Sequence, residues 1–165
     1  MSYHIYNTRG IILSSRALRE SDRVYSIMTR DLGLLRATAL GVRKEASKLR
    51  GHLEPYSLVN ISLVKGKEFW RAISAVLIQR IPAHPSIAGP LVLLEKLVQW
   101  EDAHSALFDS VQHSVLNIHE GEEFEIHFVS QILFHLGYLK ESDLTLDKKE
   151  LVKAINNGLE QSHLT

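Results

Sequence analysis

The sequence predicts an α+β chain, with about five short strands over the first eighty residues and amphipathic helices after them. Three observations carry this. Apolar and polar residues alternate through the first half, whereas apolar residues recur at helical spacing in the second. Pro82 and Pro85, in RIPAHPS, punctuate the change of period. Charge changes at the same place: residues 1–80 hold 14 Lys and Arg against 6 Asp and Glu, and residues 81–165 hold 5 against 13. The net charge of zero therefore conceals an excess of eight in each direction. The expected division is a strand-built domain over 1–81 and an α-helical domain over 82–165.

Taken in order, YHIYNTRGIILSS has high β propensity, and Gly10 inside it predicts a bulge or bend. DRVYSIMTRDLGLLRATALG reads as two strands joined at Asp31-Leu32-Gly33, where Gly33 supplies the positive φ of a short hairpin loop. On the second of these, Leu35, Ala37 and Ala39 share one face and Arg36 and Thr38 the other. In SLVNISLVKGKEFWRAISAVLIQR, Val59, Ile61 and Leu63 alternate with Asn60 and Ser62. Lys65-Gly66-Lys67 then turns, and Trp70, Ala72, Ser74, Val76 and Ile78 return on one face. Short strands with frequent turns fit a small barrel or a sandwich.

The acidic half reads as helices. Ile87, Leu91, Leu94 and Val98 follow one face, with Leu93, Leu97 and Trp100 nearly completing the ring of a buried helix. Leu107, Val111, Val115 and Ile118 form a narrower stripe. Phe124, Phe128 and Ile132 flank Val129, Leu133 and Leu136, and Gly137 sits where a helix C-terminal glycine belongs. Asp147 predicts the cap of a last helix ending near Asn157-Gly158.

Composition and motifs exclude more than they assert. At 165 residues, 45% hydrophobic and 23% charged, the chain has the make-up of a globular protein with a sizeable core. It has no Cys, which rules out disulfides and thiolate metal sites. No apolar run reaches the length of a membrane span, since GPLVLLEKLVQW is broken by Glu95 and Lys96. MSYHIYNTRG lacks the layout of a secretory signal, so a cytoplasmic location is expected. No phosphate loop, GxGxxG or GxSxG occurs, and LVKGKEF has neither the upstream Gly nor the hydroxyl residue of a phosphate loop. The nine histidines show no HExxH spacing, so no metal site is expected. The acids of EGEEFE, Glu120 to Glu125, read as a solvated helix N-terminus. No enzyme activity is expected and no cofactor is implied.

What remains is the basic stretch ALGVRKEASKLRGHLEPYS. Taken as a short helix, it places Lys44 and Lys48 at i and i+4, with Arg43 and Ser47 on the adjoining stripe. Cations gathered this way release counterions from a phosphate backbone and give affinity without sequence preference. Arg36, with Arg9, Lys65, Lys67 and Arg71, would extend the track. Tyr56, Phe69 and Trp70 are aromatics able either to stack on bases or to fill the core.

The order of these motifs resembles the RecO family of bacterial DNA repair proteins. The resemblance lies in TRGIILSSRALRESDRVYSIMTRDLGLLRATALGVRK, in SKLRGHLEPYSLVNISLVKGKEFWRAISA and, more weakly, in FEIHFVSQILFHLGYL. Its most specific positions are Arg16, Glu20 and Asp22, then Thr29 and Gly33, then Gly41, Arg43, Lys44 and Ser47, with Leu53 to Ser57 following. The resemblance implies an N-terminal five-stranded OB-fold barrel followed by a helical domain. It implies a non-catalytic recombination mediator that binds single- and double-stranded DNA, anneals complementary strands and works with RecR to load RecA. Carried over for DNA contact are Arg43, Lys44 and Lys48, with Arg36 and Arg50 added on charge. Many family members continue further and carry zinc-binding cysteines. Here the helical part is expected to be reduced, leaving Lys140, Lys148, Lys149 and Lys153 as the positive groups for docking the single-strand-binding protein. Two other readings fit the residues alone: an OB-fold RNA binder, and a protein-interaction adaptor working through its acidic helices.

Overall fold

The computed structural model describes residues 4–119 and 121–163. Five strands come first: β1 (Ile5–Ala17), β2 (Arg23–Thr29), β3 (Gly33–Ala39), β4 (Ser57–Val64) and β5 (Trp70–Arg80). Helices α1 (Pro85–Leu97), α2 (Ser105–Leu116), α3 (Glu122–His135) and α4 (Lys148–Gln161) follow, with a 3-10 helix at Glu141–Thr145. The α+β expectation is met. The chain forms two compact units: one runs to Pro82 and takes back Gln99–Ser105, and the other holds Ala83–Val98 and the chain from Ala106 onward. Residues 99–105, which a division after residue 81 leaves with the helices, therefore belong with the sheet.

The length of β1 is what lets the sheet close. Its first part pairs with β4 from Ile5↔Val64 to Ile12↔Ser57, and its second with β2 from Gly10↔Thr29 to Ala17↔Arg23. At Gly10 the strand serves both neighbours, Thr29 on one side and Val59 on the other. The sheet runs β1-β2-β3-β5-β4 and returns to β1 as a closed barrel. Closure depends on a short parallel contact between β3 and β5, Ala37↔Trp70 and Thr38↔Arg71.

The β2–β3 hairpin forms as its sequence predicts. Thr29 pairs with Gly33, whose φ is +73°, and Thr29 Oγ1 donates to the Gly33 carbonyl at 2.7 Å while accepting from the Leu32 N–H at 3.1 Å. Two expectations need correction. The bulge in β1 falls at Leu13, between the pairs Ile12↔Ile27 and Ser14↔Ser26, and not at Gly10. Gly10 is there for space, since a Cβ would lie 2.9 Å from Ile27 Cγ2. In β5 the single apolar face is interrupted twice, at Ile73 and at Ile78, where the register with β4 shifts. Trp70, Ala72 and Ala75 are buried, whereas Ser74, Val76 and Ile78 are exposed. Each extra residue rotates the following side chains to the opposite face.

Inside the sheet, Ile12, Tyr25, Ile27, Leu35, Val59, Ile61 and Trp70 form one apolar cluster. Val42 and Leu53, from the β3–β4 connection, belong to that cluster, and Leu49 packs against it. The connection is thus a plug for the sheet's interior.

In the helical unit, Pro85 occupies the first turn of α1 and His84 caps it, its side chain accepting from the Ser86 N–H at 3.3 Å. The predicted stripes are buried at Ile87, Leu91, Leu94, Leu107, Val111, Val115, Phe128 and Ile132. Gly137 ends α3 with φ +83°: its N–H donates to the Phe134 carbonyl at 3.0 Å and the Tyr138 N–H to that of Leu133 at 2.8 Å. Asp147 Oδ1 accepts from the Glu150 N–H at 3.0 Å and caps α4. Gly158 does not end this helix. It lies within it, where a Cβ would come 3.3 Å from the Tyr138 carbonyl oxygen. Glu122, Glu123 and Glu125 occupy the first turn of α3, as expected of a helix N-terminus, and Glu120 lies outside the described residues. Among the described residues no helix is long and apolar enough to cross a membrane.

Leu53 is 1% exposed at the centre of the plug. Leu53→Ala should cost about 2–5 kcal/mol, read as a lowered urea midpoint at unchanged denaturant slope.

Candidate nucleic-acid interface

The basic stretch is a succession of turns, not the short helix read from its spacing. The N–H groups of Lys44, Ser47, Arg50 and His52 donate to the carbonyls of Gly41, Lys44, Ser47 and Leu49, each three residues back, at 3.0–3.3 Å. Gly41, at φ +63°, starts the run outside helical geometry. From these turns Val42 and Leu53 enter the interior cluster and Leu49 packs against it. Residues that do not point inward point to solvent, so Arg43, Lys44, Lys48 and Arg50 are all exposed.

A second segment fixes this connection. Asp22, 8% exposed, accepts from the Gly41 N–H at 2.7 Å through Oδ1. The Arg43 N–H donates to the Ser21 carbonyl at 3.1 Å, and Arg43 Nη1 to the Glu20 carbonyl at 2.8 Å. Asp22, Thr29, Gly33 and Gly41, prominent among the motif positions, thus hold turns together. At the other end, His52 Nδ1 accepts from the Leu77 N–H at 3.0 Å, beside the bulge at Ile78.

Arg43 and Arg50 come together with Arg23 around one cleft of about 300 Å³, with Tyr25 and Glu54 also in its wall. Arg80 pairs with Glu54 at 2.8 Å and also donates to Ser57 Oγ at 2.9 Å and the Gly51 carbonyl at 2.8 Å. The single carboxylate of the cleft is thereby drawn toward a guanidinium, and the remaining character is cationic. Arg23, whose Nη1 donates to Ser15 Oγ at 3.0 Å, was missed in the sequence because it opens a strand far from the basic run. Burial pushes the Tyr25 phenol above its ordinary value; Arg23 opposes the shift and Glu54 adds to it.

Lys44 and Lys48 are exposed on the same connection but do not line this cleft. Arg36 is grouped elsewhere. Its guanidinium lies 4.5 Å from the centre of the Trp100 ring, in a smaller cleft with Phe69, Glu68 and Glu101. Trp100 does not complete the face of α1 as its spacing suggests: the helix ends at Leu97, and Trp100 bridges to Leu34. Of the aromatics considered for stacking, Trp70 is core, while Tyr56 and Phe69 are half-buried. In the wider track, Lys65 pairs with Glu101 at 3.3 Å, Lys67 and Arg71 are exposed, and Arg9 is half-buried. Among the described residues no group of three His, Asp or Glu is placed to hold a metal ion.

Comparison with known proteins fits the resemblance read from the sequence. Residues 1–80 match the family described as Recombination protein O N terminal. A relative from Synechococcus sp., named DNA repair protein RecO, is 40% identical over 81 residues, covering 49% of this chain and 28% of its own. One of the same name from Dehalococcoides mccartyi is 45% identical over 64 residues, 39% of this chain and 25% of the relative. One from Heliobacterium modesticaldum is 28% identical over 162 residues, 93% of this chain and 59% of the relative. The chain thus spans between a quarter and three fifths of the relatives it matches.

Two outcomes follow from this geometry. Asp22→Ala leaves the Gly41 N–H without its acceptor and should cost about 1–3 kcal/mol in urea unfolding. In an alkaline titration followed by tyrosinate absorbance, Tyr25 should ionise above the ordinary phenol value, later still in Arg23→Ala and earlier in Glu54→Gln. Because the folded chain holds this proton more tightly, its contribution to stability is complete below the ordinary phenol pKa of about 10 and is lost as pH rises beyond it.

Proposed function

We propose, from the premise that residues 1–80 match the recombination protein O N-terminal family, that this chain is a DNA-binding protein of repair and recombination that acts without catalysis. The observation that carries the reading is the convergence of Arg23, Arg43 and Arg50 on one cleft, with Lys44 and Lys48 exposed on the connection that supplies two of them. Guanidinium forks suit phosphate oxygens, and several together give salt-sensitive binding without sequence preference. The strand order and the plug between β3 and β4 support reading the sheet as an OB-fold, followed after residue 81 by a helical domain from which Gln99–Ser105 returns to the sheet unit.

In this reading the cations hold two strands by their phosphates, lower the repulsion between them and let complementary bases meet. Base pairing then supplies the whole driving force for annealing. Single- and double-stranded DNA are the ligands, and RecR and RecA the partners in loading, in a cytoplasmic setting. Docking of the single-strand-binding protein falls to Lys140, Lys149 and Lys153 in the helical unit. Lys148 is already engaged by Glu122 at 2.7 Å, the hydrogen bond that raises its pKa.

With about four phosphates neutralised, the logarithm of the affinity for a single strand should fall with the logarithm of salt at a slope of about −3. Reversing Arg43, Lys44 and Lys48 to Glu should abolish binding and annealing of complementary oligonucleotides, while the urea midpoint falls only by the loss of the Arg43–Glu20 hydrogen bond, about 1 kcal/mol, and the chain stays folded. A slope near zero, or annealing retained by the triple reversal, would overturn the proposal.

A further inference from the structure

The segment Gln99–Ser105 leaves the helices to join the sheet unit, and one residue in it holds an unusual conformation. Glu101 has φ +57°, a region that few side chains adopt. Three bonds keep it there. Its N–H donates to the Leu34 carbonyl at 2.7 Å, Oε1 accepts from the Trp70 indole N–H at 3.1 Å, and Oε2 accepts from Lys65 Nζ at 3.3 Å.

The residue this geometry presents is Trp100. It bridges to Leu34 by its backbone, yet the residue is 44% exposed, an uncommon state for the largest apolar residue. The Arg36 guanidinium lies 4.5 Å from the ring centre, and Phe69 stands in the wall of the same cleft of about 170 Å³. Leu35, Glu68 and Glu101 complete that wall. Glu101 is held by Trp70 and Lys65, which leaves the Glu68 carboxylate as the acceptor on this wall for the N–H of a base edge. A flat cation–aromatic stack beside carboxylates is chemistry for a heterocycle.

We propose that Trp100 and Arg36 form a stacking subsite for one unpaired nucleobase, and that this subsite gives the chain a preference for single strands over duplex. The inference rests on the DNA-binding reading and adds to it the element that distinguishes the two forms. Phosphates are offered by both, but an open base face is offered only by a strand whose bases are unstacked.

The test uses the whole chain, an oligothymidine and a duplex of equal length. Because Trp70 is buried, quenching of tryptophan fluorescence by the oligothymidine should report Trp100 and should vanish in Trp100→Phe. Trp100→Ala should weaken single-strand binding about 5- to 100-fold and leave duplex affinity unchanged, whereas Trp100→Phe should retain most of it. Arg36→Ala should reduce the same preference. Unchanged single-strand affinity in Trp100→Ala, or an equal loss on duplex, would overturn the subsite. If the triple reversal of Arg43, Lys44 and Lys48 still abolishes binding in that case, the DNA-binding reading stands and only the subsite falls.

Discussion

A small sheet that closes on itself has an interior to fill, and its strands do not fill it alone. Here the connection between β3 and β4 contributes Val42 and Leu53 to the central cluster, with Leu49 packed against it. Apolar burial of this kind stabilises by roughly 25 cal/mol per Å², so the path of the connection is set by where these side chains must go. The charged residues take the positions left over. The cationic display is therefore a product of core packing, and its guanidinium groups converge because two buried anchors bracket the turns that carry them.

The same logic separates residues that shape the molecule from those able to meet a ligand. Asp22 is committed to the Gly41 N–H, and Thr29 to both ends of the hairpin turn. Gly33 has a second duty besides its positive φ: a Cβ there would collide with the Asp102 carbonyl oxygen, so the hairpin is also the seat of the returning segment. The motif positions most visible in the sequence are mainly of this shaping kind. Arg43 serves both, since its backbone N–H and one guanidinium nitrogen brace the connection while it borders the cleft.

Much of the fold was legible because local rules and global packing agree. The β2–β3 hairpin, the alternation of β4, the cap at Asp147 and the Gly137 terminus each follow from a few neighbouring residues. The bulges in β1 and β5 were not legible, since Leu13, Ile73 and Ile78 look like ordinary strand residues and are displaced only by pairing with partners far along the chain. The basic stretch is not a helix because it opens at Gly41 with φ +63° and runs on through three-residue turns, and an i, i+4 pattern of lysines records neither. Within the site, Arg43 and Arg50 were found by charge density, whereas Arg23 and Trp100 arrive through strand register and a return of the chain.

That return has a bearing on how the protein is made. The acceptor for the Trp70 indole N–H is Glu101, which follows α1 in the chain although its contacts are with the sheet unit. During vectorial synthesis, the strands emerge first and wait while thirteen residues of helix are extruded. Only when the chain beyond them clears the ribosome does the sheet receive its last piece. An insertion of this kind ties completion of the first unit to the birth of the second, so the nascent barrel passes through a stage in which its closing seam lacks a latch.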